Sequence, residues 1–201
     1  MTQRYSAGSV RALLETEHVS AATRAALRER LDGPTVREPA FFTLDEFATL
    51  WAVYDRLIPQ PDWAEPIDIA GEIDRRLAAG MSDGWRYDVL PADGEMYRAF
   101  LGGLDVMARQ RGEAVFRALD GIEQDEILAA VQRGAVTGEA WERMPAVKCF
   151  EEVLAEVAET YYGHPLAQEE IGYVGMADLP AWTQVGLDER DEREPLPLAT
   201  S

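Results

Sequence analysis

His18, His164 and Cys149 are the only histidines and the only cysteine in this 201-residue sequence, and they bound the chemistry open to it. Glu15-Thr16-Glu17-His18 has the Glu-x-x-His spacing of di-iron carboxylate bundles, which also need a second such pair and two further glutamates on facing helices. The position that would pair with His164 holds Tyr161, so no metal site is expected. Gly-x-Ser-x-Gly is missing, and neither histidine has an evident nucleophile and orienting acid, so no catalytic residue is assigned. Neither Gly-x-Gly-x-x-Gly nor the Walker phosphate loop occurs, which leaves nucleotide binding without local support. Cys149 lies outside any Cys-x-x-Cys-His haem motif and cannot form an intramolecular disulfide or a cysteine-based zinc site. Beside Phe150 it reads as a small buried hydrophobe. The 37 acidic residues could supply a general-acid pair, yet with so many carboxylates any spacing arises by chance. No cofactor is expected in this chain.

The charge balance points away from polyanions. A net charge of −18 at pH 7 repels nucleic-acid phosphates and anionic membranes alike. Residues 1–40 hold 6 basic and 5 acidic side chains and the rest 13 and 32, so the first forty residues read as a separate piece. No stretch approaches the roughly 20 apolar residues of a membrane span. The first residues show neither a hydrophobic signal core nor a twin-arginine pair, and the expected location is cytoplasmic.

Helical spacing dominates. Ser20 can cap a run to Leu31 that Gly33-Pro34 ends. Thr43 and Glu46 form a capping box ahead of Leu44, Phe47, Leu50, Trp51, Tyr54, Leu57 and Ile58, which recur on one face. A turn with Trp63 precedes a shorter helix over 67–79, and a long ordered loop over 81–94 carries Trp85. A further helix over 95–111 holds Met96, Phe100, Leu104 and Met107, with Gly102-Gly103 permitting a close neighbour. Residues 122–132 are helical, 138–144 form a connector, and Pro145 opens a helix with the stripe Val147, Phe150, Leu154, Val157 and Tyr161. No strands and no repeats emerge. The expected fold is all-α: an irregular multi-helix bundle with a helical extension and linker over 1–40, a domain over 41–187 and a mobile acidic tail over 188–201.

The least ordinary local feature is Tyr161-Tyr162-Gly163-His164-Pro165 followed by Ile171-Gly172-Tyr173-Val174-Gly175. Two readings compete: a helix end whose tyrosines fill the core, and a docking surface, since aromatics on an irregular segment supply contact area at low entropic cost.

Together with the block from Phe41-Phe42-Thr43-Leu44-Asp45-Glu46-Phe47 to Asp55-Arg56-Leu57-Ile58-Pro59, this cluster resembles the gluconate 2-dehydrogenase subunit 3 family over about residues 41–175. The resemblance implies a small, non-catalytic helical subunit. Its partner would be a large FAD-containing subunit of the glucose-methanol-choline type that oxidises a sugar or sugar acid and passes electrons to a cytochrome or another acceptor. The small subunit would stabilise or mature the flavoprotein. Many members of that family carry a twin-arginine signal, which this sequence lacks, and His164-Pro165 is a second departure. The partner-facing residues implied are Phe41, Phe42, Trp51, Trp85, Tyr161, Tyr162, Gly163, His164, Pro165, Gly172 and Tyr173. The alternatives are a stand-alone acidic helical enzyme using a carboxylate pair, with His164 in a cleft, and an interaction module without redox chemistry.

Overall fold

The computed structural model describes residues 5–61, 66–82, 87–173 and 194–198, and all regular structure among them is helical. In chain order the helices are α1 (Ser9–Leu14), α2 (Ala21–Asp32), α3 (Leu44–Leu57), α4 (Ile69–Ala78), α5 (Asp93–Arg109), α6 (Gly121–Gln132), α7 (Glu139–Glu142), α8 (Ala146–Tyr162) and α9 (Pro165–Ile171), with a 3-10 turn at Phe116–Ala118 before α6. None of them is long and apolar enough to cross a membrane. Trp63, Trp85, Val174, Gly175 and most of the acidic stretch after 188 lie outside the described residues.

The chain divides into two compact units, residues 1–34 with 160–201 and residues 35–159. In the first, α1 and α2 both pack against α9, so the amino-terminal helices share a unit with residues beyond 160 instead of forming a piece of their own. Val10, Leu14, Val19 and Leu27 make its core, with Leu13 and Leu31 partly covered. Ser20 caps α2 by accepting from the Thr23 amide at 3.2 Å. Arg24 closes the end of α1, donating to the carbonyls of Leu14, Thr16 and Val19 at 2.5, 2.7 and 3.0 Å, where the helix dipole favours a cation.

The second unit gathers α3 to α7 and most of α8. The Thr43 capping box forms: the Glu46 amide donates to Thr43 Oγ1 at 3.2 Å and the Thr43 amide to Glu46 Oε2 at 2.8 Å. Phe47, Leu50, Val53 and Tyr54 are buried, whereas Leu44, at the first position after the cap, is 69% exposed. Gly103 is where the close neighbour sits. A Cβ there would stand 2.5 Å from the Trp141 indole, which meets Phe100 edge to face. On α8 the buried positions are Ala146, Cys149, Phe150, Val153, Val157 and Tyr161. Val147 and Leu154, expected in the core stripe, face outward at 36% and 38% exposure. Residues 153 and 154 are both apolar, and spacing alone cannot choose between adjacent positions. Cys149 is fully buried, and burial pushes its thiol up to about 12.

One buried carboxylate fixes how the chain enters this unit. Asp74 on α4 is 1% exposed and accepts three consecutive backbone amides, Ala40 at 2.7 Å and Phe41 and Phe42 at 3.0 Å each. Asp68 does the same on a smaller scale, capping α4 through the Gly71 amide at 2.9 Å and taking the Val36 amide at 2.6 Å. A buried charge is tolerable only when its lone pairs are used, and here the peptide groups before α3 use them. Asp74→Ala strands three amides and should cost about 3–5 kcal/mol in urea unfolding, with Asp74→Asn costing less because one acceptor oxygen survives. A loss within about 0.5 kcal/mol, the range of an ordinary surface substitution, would contradict this assignment.

Candidate functional site

The carboxy-terminal aromatic cluster lies in the first unit, and most of its members hold that unit together. His164 is the amino-terminal cap of α9. Its Nδ1 accepts the Leu166 amide at 3.2 Å, so the ring proton sits on Nε2, which donates to the Arg30 carbonyl at 3.0 Å near the end of α2. Arg30 in turn donates to the Gly163 carbonyl at 2.5 Å. Pro165 follows at the first helical position, where a missing N–H costs nothing. At the other end Gly172 has φ +68°, and the Tyr5 ring occupies the space a Cβ would need. The Tyr173 amide closes that end on the Gln168 carbonyl at 2.8 Å. Glu169 of α9 accepts the Gly8 and Val10 amides at 2.7 and 2.9 Å, capping the start of α1.

Tyr161 is buried and donates to Glu170 at 2.7 Å. Burial and that carboxylate hold its phenol well above the usual tyrosine range. Tyr162 and Tyr173, by contrast, are about half exposed. Both readings of the cluster therefore have residues behind them: Tyr161, His164, Pro165 and Gly172 serve the chain's own packing, and Tyr162 and Tyr173 face outward.

The remaining candidates lie in the second unit. Phe42 is buried and meets Phe41 and Tyr97 edge to face. Phe41 is half-buried with the Arg98 guanidinium 4.1 Å above its ring. Trp51 is half-buried and lines a small cleft with Tyr54, Ile58, Pro66 and Ile67. One wall of the cleft is fixed by Gln60, which accepts the Ile67 amide at 2.8 Å and donates to its carbonyl at 3.1 Å. Trp85 lies outside the described residues.

A polar network that the sequence reading did not anticipate joins α3, α4, α5 and α8. Tyr54 donates to the Tyr97 hydroxyl at 3.4 Å, and Tyr97 donates to Glu156 Oε2 at 2.7 Å. Arg76 grips the other carboxylate oxygen at 2.6 Å and reaches Asp93 at 2.9 Å and the Met81 carbonyl at 2.8 Å. Burial raises Tyr54 and Tyr97 far above the ordinary phenol range, with the Glu156 charge adding to both. Burial also raises the Glu156 carboxyl, because the Tyr97 and Arg76 contacts only partly offset the lost water. The one sequence cue was the placement of Glu156 between Val153 and Val157, close to the buried stripe.

Glu15 and His18 do not come together as a metal pair. α1 ends at Leu14, so the one-turn register that aligns i and i+3 is lost, and Glu15 binds Arg28 at 2.5 Å instead. Among the described residues no group of three or more His, Cys, Asp and Glu side chains converges as a metal ion requires. The family model described as gluconate 2-dehydrogenase subunit 3 matches residues 44–178. The chain belongs to this family. No curated protein matches it, and no solved structure does.

The matched span of this subunit 3 family member starts at the first residue of α3 and takes in the whole network around Glu156. That network has a definite pH signature. Burial holds the Glu156 carboxyl above the ordinary glutamate range in the folded state, so the folded state keeps its proton to higher pH and stability falls as pH rises through that window. Glu156→Gln cannot titrate there. In urea titrations between about pH 4 and pH 7 the stability of the native chain relative to Glu156→Gln should therefore decline with rising pH. A difference that grows with pH would mean that the Arg76 contact outweighs burial.

Proposed function

We propose that this chain is the non-catalytic small subunit of an FAD-dependent dehydrogenase acting on a sugar or sugar acid, in a cytoplasmic complex. Its role there is to stabilise or mature the large flavoprotein subunit, which holds the FAD and passes electrons to a cytochrome or another acceptor. The observation that carries this reading is family membership over residues 44–178.

The use of the side chains supports it. His164 spends both ring nitrogens on helix ends. Asp74 and Glu169 spend their carboxylates on backbone amides, and Glu156 is held by a tyrosine and an arginine. Groups committed in this way stabilise a framework, and a framework contributes to an oxidoreductase by what it covers and braces. The outward-facing aromatics Tyr162 and Tyr173 are of the type that anchors such contacts.

Affinity capture of the full chain from its own cells, followed by a visible absorption spectrum of the eluate, tests the proposal. A larger co-eluting chain with the two-band spectrum of bound flavin is the expected result. A colourless single species would contradict it.

A further inference from the structure

The outer side of α8 is more apolar than a solvent-facing helix surface needs to be. Val147 and, about two turns on, the adjacent Leu154 and Ala155 are exposed there, although the buried side of the same helix already has its own stripe of Cys149, Phe150, Val153 and Val157. Exposed polar contacts flank these apolar positions. Lys148 donates to Glu151 at 2.7 Å and lies 4.4 Å over the Tyr87 ring, and Tyr87 donates to Glu151 at 3.1 Å. This clasp ties the loop through Tyr87 to the helix, and Val89, two residues on, is 52% exposed.

The charges beside the stripe say what can cover it. Residues 147–159 contain one base, Lys148, and four acids, Glu151, Glu152, Glu156 and Glu159. Lys148 is neutralised by Glu151, and Glu156 is held by Arg76 and Tyr97. The outward side is thus apolar with an acidic rim. A second copy of a chain carrying −18 would set acid against acid across the contact, which opposes association. We propose that the outer face of α8, with Val147, Leu154 and Ala155 at its centre and Glu159 at its rim, is the docking surface for the large subunit. The matching surface on that subunit is an apolar ridge flanked by Arg or Lys. The inference rests on the function proposed above and adds the face and the chemistry of the partner.

The test compares Leu154→Lys with Ile122→Lys in the full chain. Both place the same charge on an exposed apolar position, on α8 and on the first turn of α6 respectively. Circular dichroism melting checks that each variant is folded. Leu154→Lys should weaken capture of the flavin-bearing chain about tenfold or more, as loss of a central anchor does, and Ile122→Lys should leave it unchanged. Glu159→Arg, a rim reversal on an exposed residue, should weaken capture in the same direction without touching the stripe. If the unaltered chain captures the flavoprotein and both α8 variants capture it equally well, the docking face is elsewhere and only this inference falls. If the unaltered chain captures no flavoprotein, the proposed function falls and this inference with it.

Discussion

The structure depends on buried carboxylates that take backbone amides in place of water. Asp74 receives three consecutive peptide groups just before α3, and Glu169 receives two at the start of α1. Each contact offsets a desolvated charge with charge-assisted hydrogen bonds, which are about twice as strong as neutral ones. Each also fixes a stretch of irregular chain that has no helical hydrogen bonds of its own. The Asp74 contact matters most, because it sets where Phe41 and Phe42 enter the second unit, and with them the packing of Phe42 against Tyr97.

From Tyr97 the same logic continues in side chains. Its hydroxyl leads to Glu156, and from there through Arg76 to Asp93, so four helices share one polar connection at the margin of the core. Such a network is unfavourable unless every member is satisfied, and it specifies a particular arrangement of α3, α4, α5 and α8 in a way that interchangeable aliphatic contacts cannot.

Much of the helical framework was legible in the sequence, for physical reasons. Capping at Thr43 and Ser20, the Gly33-Pro34 stop after α2 and the period of α3, α5 and α8 are local signals, and the helices follow them. α1, α7 and α9 are six, four and seven residues long, too short for periodicity to register, and they are held by contacts distant in sequence. The outward placement of Val147 and Leu154 was illegible because the neighbouring Ala146 and Val153 serve the core instead. The roles of Asp74 and Glu169 were hidden by abundance: among 37 acids, only the fold shows which ones are buried. The described motif residues of the family lie at helix ends, where geometry leaves the least freedom. Gly172, with its positive φ and the Tyr5 ring against it, is the clearest example.

Native-state hydrogen exchange at the amides of Ala40, Phe41 and Phe42 tests the central role of the buried carboxylate most directly. If Asp74 locks this segment into the second unit, the three amides exchange only when the unit unfolds, with the same free energy as the core amides of α5. Exchange near the rate of an unstructured peptide, with α5 still protected, would show that the segment opens on its own and that the fold does not depend on this contact.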